Sequence, residues 1–158
     1  MKARKARPDL VPLIIADIYE LAGSFRRGGE AIARRLGQSQ ARWQVLSAAA
    51  DAPKTVPQIA RRLGVSRQNV QRIADLLVRD SLARFAANPD HQASPHLVLA
   101  DAGRRTLAQL TRSARSRHEK LAAQLADSDL AALRRGLRAV RAALQSLDRT
   151  ATEEKEHE

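Results

Sequence analysis

Apolar side chains recur at steps of three and four through Leu10, Ile14, Ile18, Leu21, Phe25, Ile32 and Leu36, with one gap at Gly29. That spacing predicts an amphipathic helix over residues 10–36. Asp9 is placed to cap its start, and Pro12 falls in the first turn, where no intrahelical donor is needed. Gly23, Gly28 and Gly29 each weaken an exposed helix by about 1 kcal/mol relative to Ala, so they mark a bend or the close approach of another helix. Gly37 and Ser39 then punctuate the chain. Residues 41–50 read as a short helix with Trp43 and Leu46 inward.

Residues 53–80 say most. Thr55 followed by Gln58 fits a capping box, with Val56 and Pro57 in the first turn of a helix that runs to Leu63. Ile59, Ala60 and Leu63 form its buried face, and Gly64 supplies a left-handed stop. Ser66 caps a second helix, while Val65 and Val70 occupy the two positions of a hydrophobic staple. Val70, Ile73, Ala74 and Leu77 make the inner stripe of that second helix. Two short helices joined by Gly-Val-Ser form a helix-turn-helix on local chemistry alone. After Ser81 the period shortens, so that 82–86 and 97–99 read as strands around the turn signal Asn88-Pro89-Asp90. A hairpin in that place is a wing.

From Asp101 the pattern is helical again. Leu107, Leu110, Ala114, Leu121 and Leu125 share one face with His118, and Asp127-Ser128-Asp129 breaks and recaps the chain. Leu130, Leu133, Leu137, Val140, Leu144 and Leu147 then repeat as an a/d seam. The fold expected is mainly α with a small β-hairpin wing. Residues 39–100 form a winged helix-turn-helix (helices 41–50, 56–63 and 67–80; wing 82–99). Residues 9–38 and 101–148 form helical arms too apolar to stay exposed, read as a dimerisation region that includes Leu10, Ile14, Ile18, Leu133, Leu137, Val140 and Leu144. A basic arm over 1–8 and an acidic tail over 149–158 are expected to be disordered.

Charge narrows the partner. The 158 residues carry 28 Lys+Arg against 17 Asp+Glu, a net +11 that favours a polyanion, nucleic acid first. From Lys54 to Arg84 there are seven bases and two acids. The absence of cysteine removes disulfides, thiolate metal sites and thiol redox chemistry. No apolar run approaches the roughly 20 residues of a membrane helix, and Asp9, Asp17 and Glu20 interrupt any secretory h-region, so a cytoplasmic location without membrane contact is expected.

The second helix presents Arg67, Gln68, Asn69, Gln71 and Arg72 away from its apolar stripe, with Asp75 beside them. Alone, such a face is more often merely solvated. Within a capped helix-turn-helix followed by a wing, Gln and Asn suit adenine and Arg suits guanine in the major groove. Arg61, Arg62 and Arg84 are better placed for phosphate, and Thr55 and Ser66 sit at helix N-termini where amides also meet phosphate, although capping accounts for most of their role. No enzyme pattern competes. Gly23-x-x-x-x-Gly28 matches half a phosphate loop but is followed by Gly29-Glu30 and preceded by no strand. His91, His96, His118 and His157 are scattered, and His118 on an apolar seam is read as a hydrogen-bonded structural residue. No metal or other cofactor is expected.

Ser39-Gln-Ala-Arg-Trp-Gln-Val-Leu46, Ile59-Ala60 with Leu63-Gly64-Val65-Ser66, Val70-Gln71-Arg72 with Asp75, and the Asn88-Pro89-Asp90 wing closing at Leu99 and Gly103 together resemble the MarR family of winged-helix regulators. The similarity spans residues 10–148 in element order. It implies a homodimer that binds double-stranded DNA and controls transcription, expected as a repressor, and released by a small molecule. The family keeps its effector pocket at the junction of arm and reader, where Tyr19, Phe25 and Trp43 supply three of the four aromatics and suggest a small aromatic ligand. Two departures stand out. The wing holds Asn88, Asp90, His91 and Gln92 but no Lys or Arg from Ala87 to His96, where the family places a minor-groove arginine. Ser81 replaces the usual Gly after the reading helix, and Ala100 the usual Thr before the next helix, leaving Asp101 as the expected cap. Two other readings stay open: a winged-helix interaction module that has lost operator reading, and a non-specific nucleic-acid binder.

Overall fold

A computed structural model describes residues 7–156, with side chains over 10–150. In chain order the elements are α1 (Arg7–Arg34), α2 (Gln40–Ala50), β1 (Lys54–Thr55), α3 (Val56–Leu63), α4 (Arg67–Arg79), β2 (Ala83–Ala86), β3 (His96–Leu99), α5 (Asp101–Ala122) and α6 (Asp127–Glu156). The chain divides into two compact units, one ending at Ala114 and one beginning at Arg115. No helix among the described residues is long and apolar enough to cross a membrane.

The first helix begins earlier than its pattern suggests. Residues 1–6 of the expected basic arm lie outside the described residues, but Arg7 and Pro8 are helical. Proline suits the first turn, where its fixed φ is pre-set and its missing N–H is no loss. Asp9 therefore sits inside the helix rather than capping it, and Pro12 falls in the second turn. There it leaves the Pro8 carbonyl without a helical donor. At the other end Gly37, with φ 65°, turns the chain, and Gln38 N–H donates to the Ala33 carbonyl at 3.0 Å. Ser39 Oγ then accepts from Arg42 N–H at 3.2 Å and starts α2. Gly29 is the close approach its residue type suggests, since any Cβ there would overlap the Gln40 side chain.

The helix-turn-helix forms by the local chemistry expected. Thr55 N–H donates to Gln58 Oε1 at 2.8 Å, and Thr55 Oγ1 accepts from Gln58 N–H at 3.4 Å. Gly64 is left-handed at φ 66°, and Ser66 Oγ accepts from Asn69 N–H at 3.2 Å. The wing strands β2 and β3 pair antiparallel, Ala83 with Leu99 through Ala86 with His96. A third strand joins them: β1 pairs with β3, Lys54 opposite Leu97 and Thr55 opposite His96. Two residues are too few for any alternation to register, so the hairpin expected is in fact a sheet of order β1-β3-β2. Leu46, Ile59, Val70, Leu77, Leu97, Leu99 and Leu110 are all buried in one core, with Trp43, Leu63 and Phe85 packed against it. At about 1.5–3 kcal/mol for each large side chain, this core holds the reader together.

Two tight joints fix the sheet to its helices. After α4, Ser81 adopts φ 57°, with Ser81 N–H donating to the Val78 carbonyl at 2.9 Å and Leu82 N–H to that of Leu77 at 2.8 Å. This is a Schellman turn with serine where glycine is cheaper. Ala100 N–H donates to the Leu82 carbonyl at 3.0 Å, and the same oxygen lies so close to Gly103 that a Cβ there would collide with it. Arg104 N–H donates to the Ala100 carbonyl, so the capping position is Ala100 and not Asp101. Asp101 is the first helical residue, paired with Arg104 at 3.4 Å. The cap thus lacks a side-chain oxygen.

In the second unit the chain turns after α5 and restarts as α6, where Asp127 and Asp129 lie in the first turn, favourably at the positive end of the helix. Helix α6 continues through Glu156, so the tail over 149–158 expected to be disordered is helical as far as Glu156. From Asp148 to Glu156 there is neither Gly nor Pro, and Glu153, Glu154, Lys155 and Glu156 are residues that sustain a helix. His118 is exposed, as are Leu121 and Leu125 beside it, so the apolar seam that carries this histidine is open within one chain.

Candidate nucleic-acid interface

The inner stripe of α4 is buried, and that orients everything else on the helix. Val70, Ile73, Ala74 and Leu77 face the core, which leaves Arg67, Gln68, Gln71 and Arg72 exposed and Asn69 half-buried at the edge. The exposed face is already organised. Arg72 Nη2 donates to Asn69 Oδ1 at 3.2 Å, and Gln71 Nε2 donates to Asp75 Oδ1 at 2.8 Å. Asp75 thereby orients Gln71 and leaves its amide oxygen available as an acceptor, while Asn69 keeps its two amide protons. The i,i+4 spacing of Gln71 and Asp75 is the signal that could have named Asp75 as an orienting residue.

Around this face the residues expected at phosphate differ. Arg61 and Arg84 are exposed, Arg84 on β2 opposite Val98. Arg62 is also exposed, but its guanidinium is engaged by Asp51 at 2.6 Å. Ser66 caps α4 from an exposed position. Thr55 is buried and its hydroxyl is committed to the cap of α3, so its side chain has no access to phosphate. The pairing of β1 draws Thr55 into the sheet, in keeping with the capping role expected for its side chain.

The wing is tightly built. Asn88 is buried, donates from Nδ2 to the Ser94 carbonyl at 2.9 Å and accepts at Oδ1 from Asp90 N–H at 3.1 Å. It belongs to the scaffold of the wing and not to its contact surface. Asp90, His91 and Gln92 stand exposed at the tip. Between the wing and α4 runs a cleft of about 380 Å³ lined by Val56, Pro57, Gln68, Phe85 and Pro95 among others.

Two carboxylates away from this face are held charged by their neighbours. Asp80, the C-cap of α4, receives Arg42 Nη1 at 2.7 Å and Arg79 Nε at 3.1 Å. The Arg42 guanidinium, then that of Arg79, holds its carboxyl below the usual range. Glu30 accepts from Gln40 N–H at 2.8 Å and from Arg34 Nε at 2.9 Å, and these bonds, in that order, lower its pKa too.

The other expected sites are placed as follows. Tyr19 and Phe25 are 76% and 56% exposed on α1, too open to wall a closed cavity within one chain, whereas Trp43 packs half-buried on the core. Leu10, Ile14, Leu133, Leu137 and Leu144 are exposed, with Ile18 and Val140 half-buried. Among the described residues no cluster of His, Asp and Glu is arranged to hold a metal ion.

Known proteins share this architecture. The sequence profile of the MarR family matches residues 36–93. An uncharacterised protein of Mycobacterium tuberculosis is 48% identical over 138 residues, covering 87% of this chain and 96% of its own. Among solved structures, the transcriptional regulator BldR of Sulfolobus solfataricus superposes with a TM-score of 0.77 at 14% identity, covering 87% of this chain and 99% of that one. CouR of Rhodococcus jostii, solved with p-coumaroyl-CoA bound, superposes with a TM-score of 0.71 at 14% identity, covering 87% and 95%.

Proposed function

Because this chain belongs to the MarR family of winged-helix transcription regulators, we propose that it is a cytoplasmic homodimeric repressor that reads a pseudo-palindromic operator with α4. The observation that carries this reading is the exposed, internally ordered face of Arg67, Gln68, Asn69, Gln71 and Arg72 on a helix whose opposite face is locked into the core. Arg61, Arg62, Ser66 and Arg84 supply phosphate contacts around it. The dimer is supported by two exposed stripes of complementary charge. Along α6, Leu133, Leu137 and Leu144 are flanked by Arg134, Arg138 and Arg141, and no acid lies between Leu130 and Leu147. Along α1, Leu10, Ile14 and Leu21 are edged by Asp17 and Glu20, and no base lies between Pro8 and Phe25. The seam of one protomer therefore docks on the first helix of its partner, and the twofold presents two reading helices to one face of the duplex, with half-sites about 10–10.5 base pairs apart.

Release by a small aromatic ligand at Tyr19, Phe25 and Trp43 follows the same reading, since two of these rings are left open for a second chain to cover. CouR was solved with an aromatic thioester, which supports that ligand class. Selection from random duplexes tests the proposal: a binder of this kind enriches a palindrome and prefers it to bulk DNA by about 10³-fold or more. Enrichment of no sequence would favour the second reading, a non-specific nucleic-acid binder or interaction module. One observation favours the interaction module, namely a wing tip that carries Asp90 and no Lys or Arg, while the net charge of +11 favours the non-specific binder.

A further inference from the structure

The first turn of α2 is gripped from two sides. On one side Glu30 of α1 caps it, accepting from Gln40 N–H at 2.8 Å, and Gly29 lets the Gln40 side chain lie directly on α1. On the other side Arg42 reaches Asp80, 38 residues away and at the end of the reading helix, at 2.7 Å. Ser39 caps the same turn through Arg42 N–H. A span of four residues thus joins α1 to α4.

Surface ion pairs as a class contribute little, and most pairs in this chain are of that kind; Arg104 and Asp101 are 62% and 84% exposed in their side chains. Arg42 is different. Its side chain is 15% exposed against 35% for that of Asp80, and its Nε is buried without a hydrogen-bond partner among the described residues, so Asp80 is the carboxylate that compensates its charge. The carboxylate is also badly placed on local grounds. A negative group at a helix C-terminus opposes the helix dipole, and here Arg42 and Arg79 offset that opposition. Immediately beyond it the left-handed Ser81 turn leads into β2, so Asp80 stands at the joint between α4 and the sheet.

We propose that Arg42 and Asp80, backed by the Glu30 cap, are positioning residues that set the angle of α4 against α1 and so determine base specificity without touching DNA. This rests on α4 being the reading helix. Removing the link frees the C-terminal end of α4 to tilt. Phosphate contacts tolerate such a tilt because flexible side chains follow the backbone, whereas paired hydrogen bonds to base edges do not.

The test compares the unmodified protein with Asp80→Asn and Asp80→Glu, each binding the duplex that the unmodified protein selects and a scrambled duplex of equal length. Amide exchange at Asp80, Ser81 and Leu82 is followed in parallel. Asp80→Asn should lower the ratio of specific to scrambled affinity about tenfold with the scrambled affinity unchanged, and should speed exchange at those three amides alone. Asp80→Glu, which keeps the charge, should restore both. An unchanged ratio with unchanged exchange would overturn the proposal, as would loss of both affinities together, which marks simple unfolding. If the unmodified protein selects no duplex, operator reading itself has failed. The exchange arm then still decides the link, because unaltered protection at Asp80–Leu82 in Asp80→Asn refutes it.

Discussion

Helices α4 and α6 carry stripes of the same residue types at the same helical spacing, yet their surroundings are opposite. Val70 and Leu77 of α4 are fully buried, while Leu137 and Leu144 of α6 are 47% and 55% exposed. The winged unit closes its core between Ala33 and Leu110, because each short helix begins and ends on a cap, the sheet seals one side, and α1 and α5 contribute Ala33 and Leu110. The long helices leave their stripes half-covered among the described residues, Leu10 and Ile14 of α1 as well as Leu137 and Leu144 of α6. Each half-exposed leucine forgoes on the order of 1 kcal/mol of burial. The difference teaches that folding and assembly are separable under the proposed dimer: the winged core is complete in one chain, whereas the half-exposed stripes are the surfaces that a second chain would cover.

Substitutions can break one side of this contrast without the other. The largest effect is expected from Leu137→Asp with Leu144→Asp, which puts charge into the seam. Light scattering should then report monomers, and operator affinity should fall by about a thousandfold or more, while the winged core keeps its thermal transition. Gly103→Ala should do the reverse. A Cβ there meets the Leu82 carbonyl, so the reader should lose about 3 kcal/mol in denaturant unfolding, with the helical content of α6 unaffected.

Smaller changes sharpen the same comparison by improving the reader alone. Ser81→Gly relieves a left-handed residue and Ala100→Ser supplies a missing cap oxygen, so each should stabilise by about 1 kcal/mol. Neither should move the dimer equilibrium. The smallest effect is acidic. Glu30 and Asp80 have depressed pKa values in the folded chain, so their contribution is present above the ordinary carboxylate range and is lost as pH falls through the folded values. The difference in Tm between the unmodified protein and Glu30→Gln/Asp80→Asn should therefore be constant near neutrality and narrow below about pH 4.

What the chain reveals in one dimension is its local chemistry. Thr55 with Gln58, Gly64, and Ser66 with Val70 specify the helix-turn-helix because each signal acts within a few residues, and the exposed reading face follows from the buried one. Features made by distant residues escape such reading. Strand β1 is only two residues long and exists through its pairing with β3. Arg42 and Asp80 lie far apart in the sequence, and nothing near either names the other. Asn88 looks like an ordinary turn residue until the wing folds over it. Helix ends mislead for a related reason: Asp9 and Asp101 are good caps by type, but Arg7 and Pro8 are already helical, and the capping position of α5 is Ala100, tied to Leu82 by a hydrogen bond.

The claim that α4 reads bases within a twofold dimer is tested most directly by footprinting the selected duplex with the unmodified protein, Arg72→Ala and Arg61→Ala. Two protected half-sites about one helical turn apart are expected. Arg72→Ala should cost about 1–3 kcal/mol and relax preference at one base pair in each half-site. Arg61→Ala should weaken all sequences alike and reduce the salt slope by about one per contact. A single protected half-site, or an Arg72→Ala protein whose base preference is unchanged, would contradict the account.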